Sequence, residues 1–221
     1  MRKIFAAIAL FQVATLPMSQ TTPKRTIDRC AQDGAWFYAW ESTPGAPVSV
    51  ERDGISLRIE HPTPKTADAV VTISHGSHVV IQKQKDFDQA YGWLTVSQNH
   101  AFALTWNFNA SATGTQLFGL SPRGNIIEDI QLIPQAEQTF TADAKHSCAN
   151  PGLNTTAIKW LDQDHLLLSI NAWADGFCES NFTEGFILDI PSHSVQRKLS
   201  ERELIDFPAA CTWNVVPTPK H

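Results

Sequence analysis

One unit of sequence grammar occurs twice in this chain, and it restricts the fold more than any composition does. In the stretch Trp160 to Ile190, an apolar end and a polar turn (Leu161 to His165) lead into an apolar run, Leu166 to Ile170. A long loop with acidic, aromatic and cysteine residues follows, then a second apolar run, Phe186 to Ile190. The earlier copy has Leu94-Thr95-Val96, the polar Ser97 to Ala101, and the run Phe102 to Trp106. It continues through a loop rich in Asn, Ser and Gly into Leu117 to Leu120. Val96 falls on Trp160, Phe102 on Leu166 and Leu104 on Leu168, all at an offset of 64 residues. Two copies of strand, turn, strand, long loop and strand predict a repeated antiparallel sheet.

The rest of the chain supports an all-β reading. Ala35 to Trp40 is an apolar block of strand character. Pro47 to Ile59 reads as a hairpin turning at Asp53-Gly54, a pair favoured where both central turn residues need positive φ. His61 to Thr66 is a proline-bearing connector, and Ala69 to Gln84 reads as a hairpin turning at His75-Gly76-Ser77. Elsewhere apolar residues recur with period two between turn residues. A single helical signal stands out: Ser200 and Glu203 form a capping box that predicts one short helical turn to Asp206. The expected organisation is a leader over 1–19, a lead-in over 20–34 and one β-rich domain over 35–221. Its repeats run from about 91 to 140 and from about 155 to 207.

The leader is read from Arg2 and Lys3 followed by the apolar Ile4 to Leu16, a run too short to span a bilayer, which takes about 20 residues. It predicts export to the periplasm or the extracellular space, with no transmembrane segment after its removal. Loss of Arg2 and Lys3 takes the net charge from −5 to −7. With no basic run, nucleic acid and anionic membranes are poor partners, and a basic protein is the expected one. Cys30, Cys148, Cys178 and Cys211 all lie beyond the leader, and an even count in an oxidising compartment favours two disulfides. Of the three pairings, Cys30–Cys211 would tie the chain ends and Cys148–Cys178 would brace the second repeat.

The runs VSQNHAFALTW and WLDQDHLLLS resemble the inner hairpin of β-propeller blades. Leu120-Ser121-Pro122-Arg123-Gly124 and Ile190-Pro191-Ser192-His193-Ser194 stand where those families place the turn after a third strand. The offset of 64 exceeds the usual blade of about 40–50 residues. There is room for three or four units, where full propellers have at least about four blades. The resemblance therefore implies a partial β-propeller-like fold, disulfide-braced, and a β-sandwich with two similar hairpins is the alternative.

No nucleophile elbow, zinc-protease helix, phosphate loop or dinucleotide fingerprint occurs, and no cofactor or metal site is expected. His75-Gly76-Ser77-His78 is the most suggestive short run, but turn chemistry alone accounts for it. Asp162 and Asp164 lack the glycine of a calcium loop and read as a solvated turn, and Asp86 and Asp88 read as surface charges. The two long loops, Asn107–Thr115 and Ala174–Glu184, occupy corresponding places and are expected on one edge. The second carries Asp175, Phe177, Glu179, Phe182 and Glu184, aromatics ringed by acids, as on protein-binding faces. The expected function is an exported, non-catalytic protein-binding domain. In size, acidity and disulfide use it resembles periplasmic immunity proteins that block cell-wall-degrading effectors. The alternatives are a secreted hydrolase built on His75, Ser77 or His78, and an envelope assembly or sensor module.

Overall fold

The structure, a computed structural model, describes residues 34–40, 47–60, 68–84, 89–98, 101–108, 113–142, 152–172 and 182–207. Within them lie three antiparallel sheets, none closed. The chain opens with β1 (Gly34–Trp40) and then forms a four-stranded meander of its own. That first sheet consists of β2 (Val48–Arg52), β3 (Ile55–Glu60), β4 (Ala69–His75) and β5 (His78–Gln84). The middle sheet contains β6 (Gln89–Ser97), β7 (Ala101–Phe108), β8 (Thr113–Leu120) and β9 (Ile126–Asp129), with β1 added at the β6 edge. The last sheet is β10 (Leu153–Trp160), β11 (His165–Ala172), β12 (Phe182–Asp189) and β13 (Ser194–Leu199). Helix α1 (Leu132–Thr141) follows the middle sheet and α2 (Glu201–Asp206) follows the last.

The two repeated stretches map onto β6 to α1 and β10 to α2. Val96 pairs with Phe102 and Trp160 with Leu166, the same cross-strand step beside the first turn of each sheet. Each sheet also gains a fourth strand, β9 or β13, that the sequence repeat did not include. The hairpins of the first sheet make a third meander of the same order. Its first turn has Asp53 at φ 47° and Gly54 at φ 79°, the backbone that Asp-Gly supplies most readily.

The sheets stack face to face, so the middle one is buried on both sides. That is why Ala101 to Asn107 is buried throughout, without the polar alternation of a half-exposed strand. The two faces of β7 differ in size. Phe102, Leu104 and Trp106 point towards Ile55, Leu57, Ile59, Val71 and Ile73 of the first sheet. Phe102 stacks on its cross-strand neighbour Phe118 at 4.7 Å. On the other face stand the small residues Ala103 and Thr105, and β10 lies close over them.

That second interface is polar at its centre. Ala157 N–H donates to Thr105 Oγ1 (3.0 Å), and Thr115 Oγ1 donates to the Thr155 carbonyl (2.9 Å). Each hydroxyl has a single proton. With Thr115's spent on Thr155, the 3.0 Å contact between Thr105 and Thr115 must be donated by Thr105. Trp93 Nε1 donates to the Ala157 carbonyl (3.1 Å), Trp160 Nε1 to Thr95 Oγ1 (3.2 Å), and Ser97 Oγ to the Gln163 carbonyl (2.5 Å). Around this seam the apolar part is completed by Leu166, Leu168, Ile170, Phe186 and Leu188, with Leu132, Ile133, Ala136 and Phe140 of α1.

Helix α1 corrects the expectation of a single helical turn. Its buried residues recur at helical spacing, and Pro134 falls in the first turn, where a missing N–H costs no hydrogen bond. The Asp129 carboxylate receives the amides of Gln131 and Leu132 at 2.9 and 2.8 Å and so opens the helix. Helix α2 forms where the capping box predicts it, with both reciprocal bonds of Ser200 and Glu203 present. Its Leu204 seats on Gly185 of β12, where a Cβ would lie 2.8 Å from the Leu204 side chain.

Replacing Thr105 with Val keeps the shape but leaves the Ala157 amide and Thr115 hydroxyl short of a buried partner. The expected loss is about 1–3 kcal/mol in urea unfolding, and Thr105→Ser, which keeps the hydroxyl, is expected to lose less than Thr105→Val.

Candidate functional site

Each sheet contains an up-and-down meander, so its successive connections alternate between two ends. The β3–β4, β7–β8 and β11–β12 connections share one end, the long-loop end; they are the longer ones in the first and last sheets, while in the middle sheet β7–β8 is about as long as β8–β9. Bonds between the tight turns bring those ends of the three sheets together: His75 reaches Gly124, and Ser97 reaches Gln163. The molecule therefore has two unlike ends.

At the long-loop end, the strands that carry the two corresponding loops are linked at their bases through β10. Thr113 N–H, at the start of β8, donates to Asn154 Oδ1 on β10 at 2.6 Å. Asn154 pairs across the sheet with Asn171, and Asn171 with Thr183. Asn171 Nδ2 also donates to Thr183 Oγ1 at 2.7 Å. A line of polar groups therefore runs from the foot of one loop to the foot of the other. It also occupies Asn154, which heads an Asn-Thr-Thr glycosylation sequon but is 9% exposed, so a glycan there has no room in the fold.

The residues expected to form a binding face fall as follows. Asp175, Phe177 and Glu179 lie outside the described residues, as do Cys30, Cys148, Cys178 and Cys211. Phe182 is the first residue of β12 and pairs with Ala172. Glu184 lies two residues further along β12, opposite Ile170, and its carboxylate is 2.8 Å from Lys198 Nζ with the side chain 12% exposed. Of the three acids, Glu184 is the one the structure describes, and it stands on the sheet.

At the tight-turn end His75, His78, Asp162 and His165 hold turns. His75 Nδ1 donates to the Gly124 carbonyl (2.9 Å), and His78 Nδ1 accepts from the Ile126 amide (3.1 Å). The His75-to-His78 turn thus fastens the first sheet to the turn between β8 and β9, and each of these ring nitrogens has a structural partner. Asp162 accepts from the amides of Asp164 and His165 and from the His165 ring, closing the β10–β11 turn. Slight burial opposes its ionisation, but those donors hold its carboxyl below the usual carboxylate range. Asp86 and Asp88 lie outside the described residues.

Asp129 is the most enclosed acid of this end, with its side chain 7% exposed. It takes the two amides that begin α1 on one oxygen and His193 Nδ1, at 2.8 Å, on the other. One carboxylate thereby joins β9, α1 and the β12–β13 turn, where His193 holds a φ of 49°. Burial alone would raise its pKa, yet the amides and His193 prevail and lower it. Among the described residues, no group of three or more His, Cys, Asp and Glu side chains is placed to share a metal ion. Among them also, no helix is long and apolar enough to cross a membrane.

A carboxylate whose folded pKa is depressed adds stability that is present above its unfolded pKa and lost as pH falls through the folded one. Wild-type stability is therefore expected to decline below about pH 4, the unfolded Asp value. In Asp129→Asn, denaturation midpoints measured across that range should be lower at neutral pH and fall less steeply in acid.

Compared with protein-family models, curated proteins and solved structures, the chain matches none.

Proposed function

We propose that the chain is an exported domain whose long-loop end binds another protein. The carrying observation is the bonded base beneath the two corresponding loops, Thr113 to Asn154 and Asn171 to Thr183. A loop set on a braced base loses less conformational freedom on binding than one on a mobile stem, which favours affinity. Phe177 and Phe182 supply apolar anchors, and Asp175 and Glu179 an acidic rim suited to a basic partner. In its most specific form the reading is an immunity protein that blocks a cell-wall-degrading effector. Compartment and charge support that form: the leader-like start and the net charge of −5.

Three consecutive four-stranded antiparallel meanders, stacked face to face and left open, support a partial-propeller reading of the architecture. In that reading Cys148 pairs with Cys178 and Cys30 with Cys211. Non-reducing peptide mapping is expected to recover those two linked peptides; a link from Cys148 to Cys30 or Cys211 would replace the pairing.

Phe177→Ala and Phe182→Ala are expected to weaken binding of the co-purifying partner by about 1–3 kcal/mol each, the range of moderate hot spots, through faster dissociation. Asp175→Asn with Glu179→Gln should slow association, more so at low salt. Binding kinetics with circular dichroism as a folding control decide the matter. Phenylalanine variants that fold and bind normally would move the binding face elsewhere.

A further inference from the structure

The first hairpin turns of all three sheets meet around an open cleft of about 760 Å³ at the end opposite the long loops. Arg52 ends β2 and Asp53 follows it in the β2–β3 turn, Gln98 lies in the β6–β7 turn, Lys159 and Trp160 end β10, and Asp162 lies in the β10–β11 turn. We propose that this cleft binds a neutral oligosaccharide. This site is separate from the protein-binding reading, because the loops of that reading leave from the other end.

The size falls within the range of about 300–1,000 Å³ usual for ligand clefts. The charge pattern selects against a simple ion. Two cations and two acids share the cleft, and the acids are already compensated. Arg52 Nε donates to Asp53 at 3.2 Å, and Asp162 is occupied by two amides and the His165 ring. What remains is a mixed set of donors and acceptors: the terminal guanidinium nitrogens of Arg52, the Gln98 amide, and the unused lone pairs of the carboxylates. Sugar hydroxyls donate and accept at once, so they satisfy such a set without bringing a charge to be desolvated. A purely apolar ligand would leave those groups unpaired.

Trp160 supplies the apolar part. Its indole N–H is tied to Thr95 Oγ1 at 3.2 Å, which fixes the ring at the cleft wall before any ligand arrives. A fixed aromatic side chain offers a large apolar area at little cost in side-chain entropy, suited to the C–H face of a pyranose ring.

The test uses the full chain and nuclear magnetic resonance titration with triacetylchitotriose, cellotriose and maltotriose, with sodium phosphate as the ionic control. At least one trisaccharide is expected to give a saturable shift of the Trp160 indole and Gln98 side-chain signals. The affinity should be insensitive to salt between about 0.05 and 0.5 M. Arg52→Ala and Gln98→Ala, both at the turns, should each weaken it at least about threefold, which corresponds to one modest hydrogen bond. Trp160→Phe assigns the indole signal, and the two turn variants keep the test open if it fails to fold. No saturable shift with any of the three sugars at about 20 mM, well above a millimolar dissociation constant, would overturn the proposal. So would a response to phosphate alone, or binding that both turn variants leave intact.

Discussion

The open edge of β10 is the problem on which the rest of the architecture turns. An edge strand presents unpaired N–H and C=O groups, and natural sheets cover, charge or shorten such edges. Here the edge is turned into the middle sheet, where Thr105, Thr115 and Trp93 take the place of a neighbouring strand. The solution is reciprocal. β9 pairs with β8 only from Leu117 to Leu120, so among the described residues the first half of β8 also lacks a partner strand on that side. Its Thr113 and Thr115 amides are received by the side chains of Asn154 and Thr155, at 2.6 and 2.8 Å. Two incomplete edges are closed against each other by bonds to side chains. The hydroxyl relay from Thr105 through Thr115 to Thr155 has one direction, which ties the position of β10 to a specific pairing of donors and acceptors.

That arrangement explains which parts of the fold were legible in the sequence. The strand pairs beside Val96 and Trp160 announce themselves because large apolar residues alternate there with a polar turn. Asp53-Gly54 and the Ser200–Glu203 box are equally plain, since turn and cap chemistry is local. What stayed hidden depends on contacts distant in sequence. β9 has two of its four residues, Ile127 and Glu128, exposed, and β13 is mainly polar with only Leu199 fully buried, so neither shows a strand's apolar signature. α1 did carry a signal, the spacing of Leu132, Ile133, Ala136 and Phe140, but it falls inside a stretch otherwise read with period two. The seam threonines look like ordinary strand residues until two sheets are brought together.

The candidate sites divide in the same way. That the long loops share an edge follows from the repeat itself, and the feet of both loops are bonded at one place in the fold. The part played by Glu184 was not visible, because its Lys198 partner arrives from β13, a strand with no clear apolar pattern. The cleft at the tight-turn end was hidden for another reason. Arg52, Gln98 and Trp160 are distributed over three sheets, and each residue taken alone reads as a turn or its flank.

The placement of β1 has a consequence for how the chain comes apart. β1 and β6 are neighbours in the middle sheet, with Trp40 opposite Gln89, yet the whole first sheet lies between them in sequence. Topologically that sheet is an insertion whose entry and exit points are clamped side by side. If it opens locally, it does so as a closed loop, with both ends still held and less chain entropy to gain than a free terminus would have. Such an opening would bare Phe102, Leu104, Trp106 and Phe118 on the face it had covered, while the seam with β10 stayed intact. In such an opening the first sheet would act as a tethered cover over that face of the core, and its re-closure would proceed at the high effective concentration of a tethered segment.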